Sequence, residues 1–231
     1  MGLRNIHEKG LIHRYFHCGN VLSGNYNDVY ITDLGLCKPA ITTSQNGDKK
    51  IYGVLPYVAP EVLRGKEYTR ASDIYGFGII AYEICTGLPP YHDIAHDEFL
   101  ANKICQGLRP KSNYKIPQLI LDIIQQCWDA DPSRRPKAEQ LSKLFQNLYG
   151  VSDENDKHGK FEENATINNQ IKEADEINKN SSLKKGTTSS TGVISYTTHP
   201  QAIYTSKLLD FKNLPEPKNT DNDSEFECSG N

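Results

Sequence analysis

A mainly α-helical domain with one short β-hairpin, followed by a polar acidic tail, is the architecture that this 231-residue sequence predicts. Three observations carry that prediction. Apolar residues recur at helical spacing, most plainly Leu119, Ile120, Ile123, Ile124, Cys127 and Trp128. Val21-Leu22-Ser23 and Val29-Tyr30-Ile31-Thr32 flank the turn-rich run Gly24 to Asp28 and read as a hairpin. Composition then changes near Gly150: residues 1–150 hold 17 Lys/Arg and 15 Asp/Glu, whereas residues 151–231 hold 9 and 14 and few large apolar side chains. A domain over 1–150 and a largely disordered tail over 151–231 are therefore expected.

Gly2 to Lys9 reads as the last two turns of a helix, with Leu3 and Ile6 inward and Gly10 as a left-handed stop. So short a helix is marginal alone. Ile41 to Asp48 is a polar loop, expected to be mobile, with Thr42, Thr43 and Ser44 as candidate phosphorylation sites. An apolar helix follows from Ser72-Asp73 to about Cys85, hydrophobic nearly all round and so buried, with Ser72 or Asp73 as its cap. Asp97 to Gly107 predicts a helix with Phe99, Leu100 and Ile104 inward, and Ala138 to Leu148 one with Leu141, Leu144, Phe145 and Leu148 inward. In the tail, Ile167, Ile171, Ala174 and Ile177 share a face, which marks 162–179 as a candidate short helix. Ala202 to Phe211 gathers five large apolar residues, a candidate docking segment weighed against transient structure in a solvated tail.

The bulk properties exclude several classes of function. A net charge of −3 makes no case for nucleic acid or an anionic membrane, and no apolar run has transmembrane length. Six scattered cysteines without a signal peptide suit a reducing compartment, so a cytoplasmic location is expected, with the nucleus as the alternative. His13, His17, Cys18 and Cys37 lack the close paired spacing of structural zinc sites.

The chemistry gathers between residues 13 and 35. His13-Arg14-Tyr15-Phe16-His17-Cys18-Gly19-Asn20 has the register H-R-D-L-x-x-x-N, and Asp33-Leu34-Gly35 stands where D-F-G would follow. Gly53-Val54-Leu55-Pro56-Tyr57-Val58-Ala59-Pro60-Glu61 is similar to G-T-x-x-Y-x-A-P-E, and Cys127 to Pro136 to C-W-x-x-D-P-x-x-R-P. In this order the motifs resemble the large, C-terminal lobe of a protein kinase, most closely the tyrosine-kinase-like group. The resemblance implies ATP and Mg2+ as cofactors, Mg2+ being held by Asn20 and Asp33, with Leu22 on the adenine floor. It makes Arg14, Tyr15 and Asp33 the catalytic positions, and His13, Glu61, Asp73 and Arg135 structural ones. Asp73 would bond the catalytic-loop backbone and Arg135 would pair with Glu61.

Tyr15 departs from the family, because it occupies the place of the catalytic aspartate. A phenol keeps its proton at neutral pH and is a poor base. Val54 replaces the usual threonine, and His17 the lysine usual in serine/threonine enzymes, which leaves serine/threonine versus tyrosine specificity open. No G-x-G-x-x-G loop and no V-A-I-K lysine occur, so the small lobe is expected to be absent from the chain. The expected function is that of a catalytically inactive, pseudokinase-type fragment acting in signal transduction through a protein partner, another kinase or a signalling protein. The alternative is a truncated gene model or a fragment of an ATP-dependent serine/threonine or tyrosine kinase.

Overall fold

In the computed structural model, residues 2–24, 28–40, 51–148, 160–184 and 196–220 are described. The chain opens with α1 (Gly2–Glu8), which buries Leu3 and His7 and leaves Ile6 half-buried; Gly10 ends it at φ +76°. Next come β1 (Leu11–Ile12), β2 (Val21–Ser23), β3 (Val29–Ile31) and β4 (Lys38–Pro39). β2 and β3 form the predicted antiparallel hairpin, with Val21 opposite Ile31 and Ser23 opposite Val29. β1 pairs with β4, a ribbon that the sequence does not announce because two-residue strands have no alternation to read. β5 (Ile51–Gly53) leads into α2 (Pro60–Leu63), α3 (Arg70–Thr86), α4 (Glu98–Cys105), α5 (Gln118–Cys127) and α6 (Ala138–Leu148). After these lie α7 (Lys160–Lys184) and β6 (Lys207–Leu209).

α3 is the axis of the core. Its start lies one turn before the predicted one: Thr69 and Ser72 form a reciprocal capping box, Ser72 N donating to Thr69 Oγ1 at 3.2 Å and Thr69 N to Ser72 Oγ at 2.9 Å. Asp73 is therefore not the cap, and its carboxylate is left for another task. Ile74, Tyr75, Ile79 and Ile80 are buried around the helix, as its uniform hydrophobicity predicts. Gly76 lets another backbone come close, since a Cβ there would sit 2.9 Å from the Phe16 carbonyl oxygen. α5 packs along α3 and contributes Ile123, Ile124 and Cys127 to the core.

Two expected core residues face solvent instead. Phe99 is 63% exposed, because α4 turns Leu100, Ala101, Ile104 and Cys105 inward. Leu144 is 39% exposed while Leu141 is fully buried. An inward stripe is narrower than the set of apolar residues on a helix, and only the neighbouring elements decide which of them it includes.

The candidate helix at 162–179 is observed as the longer α7, with Ile167 and Ala174 buried and Ile171 and Ile177 about half-exposed. It rests on α6, and Asn178 exchanges two hydrogen bonds with the Lys115 backbone, at 2.7 and 3.0 Å. Residues 196–220 also lie on the lobe, where composition pointed to a solvated tail. Backbone pairing, which has no compositional signature, is what holds much of this stretch. Thr42, Thr43, Ser44 and the proposed boundary at Gly150 fall outside the described residues.

Candidate functional site

The site is hung from Asp73, a buried carboxylate in the first turn of α3. Asp73 Oδ2 accepts the His13 backbone N–H at 2.8 Å, Oδ1 accepts that of Arg14 at 2.9 Å, and His7 Nε2 lies 2.9 Å from Oδ2. These bonds hold Arg14 at φ +69°, in the left-handed region that is costly for a bulky side chain. The His13 ring is fully buried, with Nε2 3.0 Å from the Thr32 carbonyl oxygen. The loop is thus tied on one side to α3 and on the other to the strand end after the hairpin.

Thr32, the residue before Asp33, is also linked to the loop's asparagine. The Thr32 N–H and hydroxyl both donate to the Asn20 carbonyl, at 2.9 and 3.3 Å, so Asp33 follows directly on a residue fixed to Asn20. Asp33 is exposed and sits at φ +57°. Asn20 is buried; its Nδ2 donates to the Tyr15 carbonyl at 2.9 Å, which leaves Oδ1 as an acceptor. One carboxylate and one amide oxygen suit Mg2+, which takes one or two protein oxygens and shares its remaining positions among phosphates and water. Among the described residues, no group of three or more His, Cys, Asp or Glu side chains is placed to hold a metal by itself. Leu22, on the hairpin next to these donors, is 52% exposed.

Tyr15 is half-buried, its ring meeting His17 edge-on with centroids 4.6 Å apart. It lines a shallow cleft whose far wall is Gly53, Val54, Tyr57 and Val58. Opposite, Tyr57 donates its hydroxyl proton to Glu83 Oε2 at 2.5 Å, which fastens this wall to α3. Burial raises the pKa of Glu83, against the opposing effect of its hydrogen bonds to Tyr57 and Cys18. Behind the wall, the buried Glu61 accepts two hydrogen bonds from Arg135, at 2.7 and 2.8 Å. Sequence reasoning did not single out His7, Thr32 or Glu83. Only the placement of His7 one helical turn after Leu3, on the inward face of α1, could have marked any of them.

His17 Nε2 is buried without a hydrogen-bond partner. Burial holds the His17 imidazole below its ordinary value, reinforced by His13 and opposed by Asp33. As pH falls through the ordinary imidazole range, the unfolded chain takes up this proton before the folded one does, so stability declines. Denaturant melts at about pH 7 and about pH 5 should show a smaller loss for His17→Gln than for the parent chain. An equal loss in both proteins would remove His17 from the account.

A buried helical aspartate that suspends one loop by its backbone, beside a second loop that delivers a carboxylate next to the first loop's asparagine, defines the large lobe of a protein kinase. Sequence comparison agrees: residues 1–145 match the protein tyrosine and serine/threonine kinase family, and the chain belongs to it. It is similar to the dual serine/threonine and tyrosine protein kinases of dog (Canis lupus familiaris, 35% identical), human (Homo sapiens, 34%) and mouse (Mus musculus, 37%). Each of these matches runs over 151 residues and covers 64% of this chain but 16% of the relative. The family uses ATP and Mg2+.

Proposed function

We propose that this chain is a pseudokinase-type kinase lobe, of the tyrosine-kinase-like group, that acts in the cytoplasm by binding a protein partner in signalling. One observation carries the reading: Asp73 holds the loop backbone at His13 and Arg14 and Asn20 holds it at Tyr15, yet Tyr15 stands where the family has its proton acceptor. Positioned general bases contribute roughly 10²–10⁴-fold to rate, and a phenol that keeps its proton does not supply that. A second reading, as part of an ATP-dependent serine/threonine or tyrosine kinase, is favoured by the intact pair of oxygen donors, Asn20 and Asp33.

Nucleotide binding separates the two readings. Within this chain only Asn20, Asp33 and Leu22 would face a nucleotide, and the family's phosphate-covering glycine loop and lysine do not occur in the sequence. Calorimetric titration of the 231-residue chain with Mg-ATP should show no saturable binding below about 1 mM, equivalent to about −4 kcal/mol. Saturation at micromolar nucleotide would overturn the first reading and favour the second.

A further inference from the structure

β5 is the strand through which the chain enters the cleft wall opposite Tyr15, and its edge is occupied. β6 lies against it antiparallel, Ile51 opposite Leu209 and Gly53 opposite Lys207. Leu209 is buried in the core, whereas its neighbour Leu208 is 44% exposed, the alternation of a strand laid on a surface. Upstream, Tyr204 donates its hydroxyl to the Pro90 carbonyl at 3.0 Å and His96 Nδ1 lies 2.9 Å from the Ile203 carbonyl. Downstream, Leu214 is buried, and Arg64 donates through Nε to the Leu214 carbonyl at 3.2 Å and through its two terminal nitrogens to the Glu216 carboxylate. The segment then passes the end of α4, where Lys218 N donates to the Cys105 carbonyl at 3.0 Å and Thr220 Oγ1 to that of Gly107 at 3.2 Å. A Cβ on Gly107 would lie 2.6 Å from Thr220 N, so this approach requires glycine there.

We propose that the β5 edge is a strand-addition site with the chain's own residues 203–216 as its resident occupant, a strap covering the surface beside the Tyr15 cleft. Two features separate this contact from a chance adhesion of tail to lobe. Main-chain pairing and an inserted leucine, Leu209, provide the grip that strand-addition sites use, and the two-pronged guanidinium–carboxylate pair of Arg64 with Glu216 fixes the register downstream. Left unpaired, a strand edge is a template for other chains; here the tail takes that place. Another extended peptide can pair with this edge of β5 only after the strap leaves. This holds whether or not Tyr15 abolishes phosphoryl transfer.

Hydrogen exchange and a competing peptide test the proposal on the full chain. In Leu209→Asp, exchange at residues 51–53 should rise at least about tenfold while α3 and α5 keep their parent rates, as for a local opening. Glu216→Arg alters only an exposed side chain and reverses its charge opposite Arg64. It should raise exchange at the same residues about threefold, which keeps the test valid if the aspartate variant unfolds. A labelled peptide of residues 200–218 should bind Leu209→Asp saturably and the parent chain at least about tenfold more weakly, since the parent's own strap competes. Unchanged exchange at 51–53 in both variants overturns the proposal. So does a peptide that binds parent and variant equally, or neither.

Discussion

Tyr15→Asp is expected to raise phosphoryl transfer at least about 100-fold once the lobe is supplied with a nucleotide-binding small lobe from an active relative, joined before Gly2. Transfer of a phosphoryl group depends mostly on positioning and charge neutralisation, so supplying a base raises the rate without being its only determinant. At about 1.36 kcal/mol per decade, the 10²–10⁴-fold contribution of a positioned base corresponds to roughly 3–5 kcal/mol of barrier. The structure gives a reason to expect recovery from one substitution: the loop backbone is already anchored by Asp73, Thr32 and Asn20. The phenol also lies edge-on against His17 and lines the cleft, so the smaller aspartate would open space there. Asp33→Asn in the same fusion, which weakens the carboxylate ligand, should remain silent. Equal rates for tyrosine and aspartate at position 15 would mean that the residue is not the lesion, and that the loop's register needs revision.

Arg135→Met should destabilise the lobe by about 3–5 kcal/mol, the usual cost of stranding one partner of a buried ion pair. The Arg135 side chain is 0% exposed and that of Glu61 6%, so water cannot solvate the carboxylate left behind. Arg135 also donates to the carbonyls of Asp129 (2.8 Å) and Ala71 (3.0 Å), which ties the loop after α5 to the start of α3. Its guanidinium lies 5.2 Å from the Tyr75 ring centroid, so some packing is lost with the charge. Urea titrations followed by the single tryptophan, Trp128, measure the effect directly. Replacing both partners by methionine should recover part of the loss, because the double variant buries no unpaired charge. A loss below about 1 kcal/mol for the single variant would show that Glu61 finds water or another donor.

Much of the site was readable because its parts carry side-chain chemistry at fixed spacing. Asn20 and Asp33 were paired by motif, and Thr32, the residue before Asp33, bonds to the Asn20 carbonyl. The ties of Asp73 to the loop and of Arg135 to Glu61, which the resemblance implied, exist as hydrogen bonds over separations of 59 to 74 residues. His7 escaped notice because one histidine on a short helix has many uses, and only its meeting with Asp73 selects this one. Phe99 and Leu144 were misplaced for a related reason: periodicity identifies an apolar side of a helix but does not say how wide a strip of it the neighbours cover.

By itself the sequence determined the helical lobe, its central buried helix, the hairpin and the order of the kinase motifs. Each is a local pattern of period, spacing or residue type, and such patterns survive in one dimension. Only the tertiary structure decided where α3 begins, that His7 joins Asp73, and that residues 196–220 return to the lobe and pair with β5. Those outcomes rest on backbone groups and on residues far apart in the chain. A peptide N–H or carbonyl is the same in nearly every residue, so its choice of partner leaves no mark until the chain has folded.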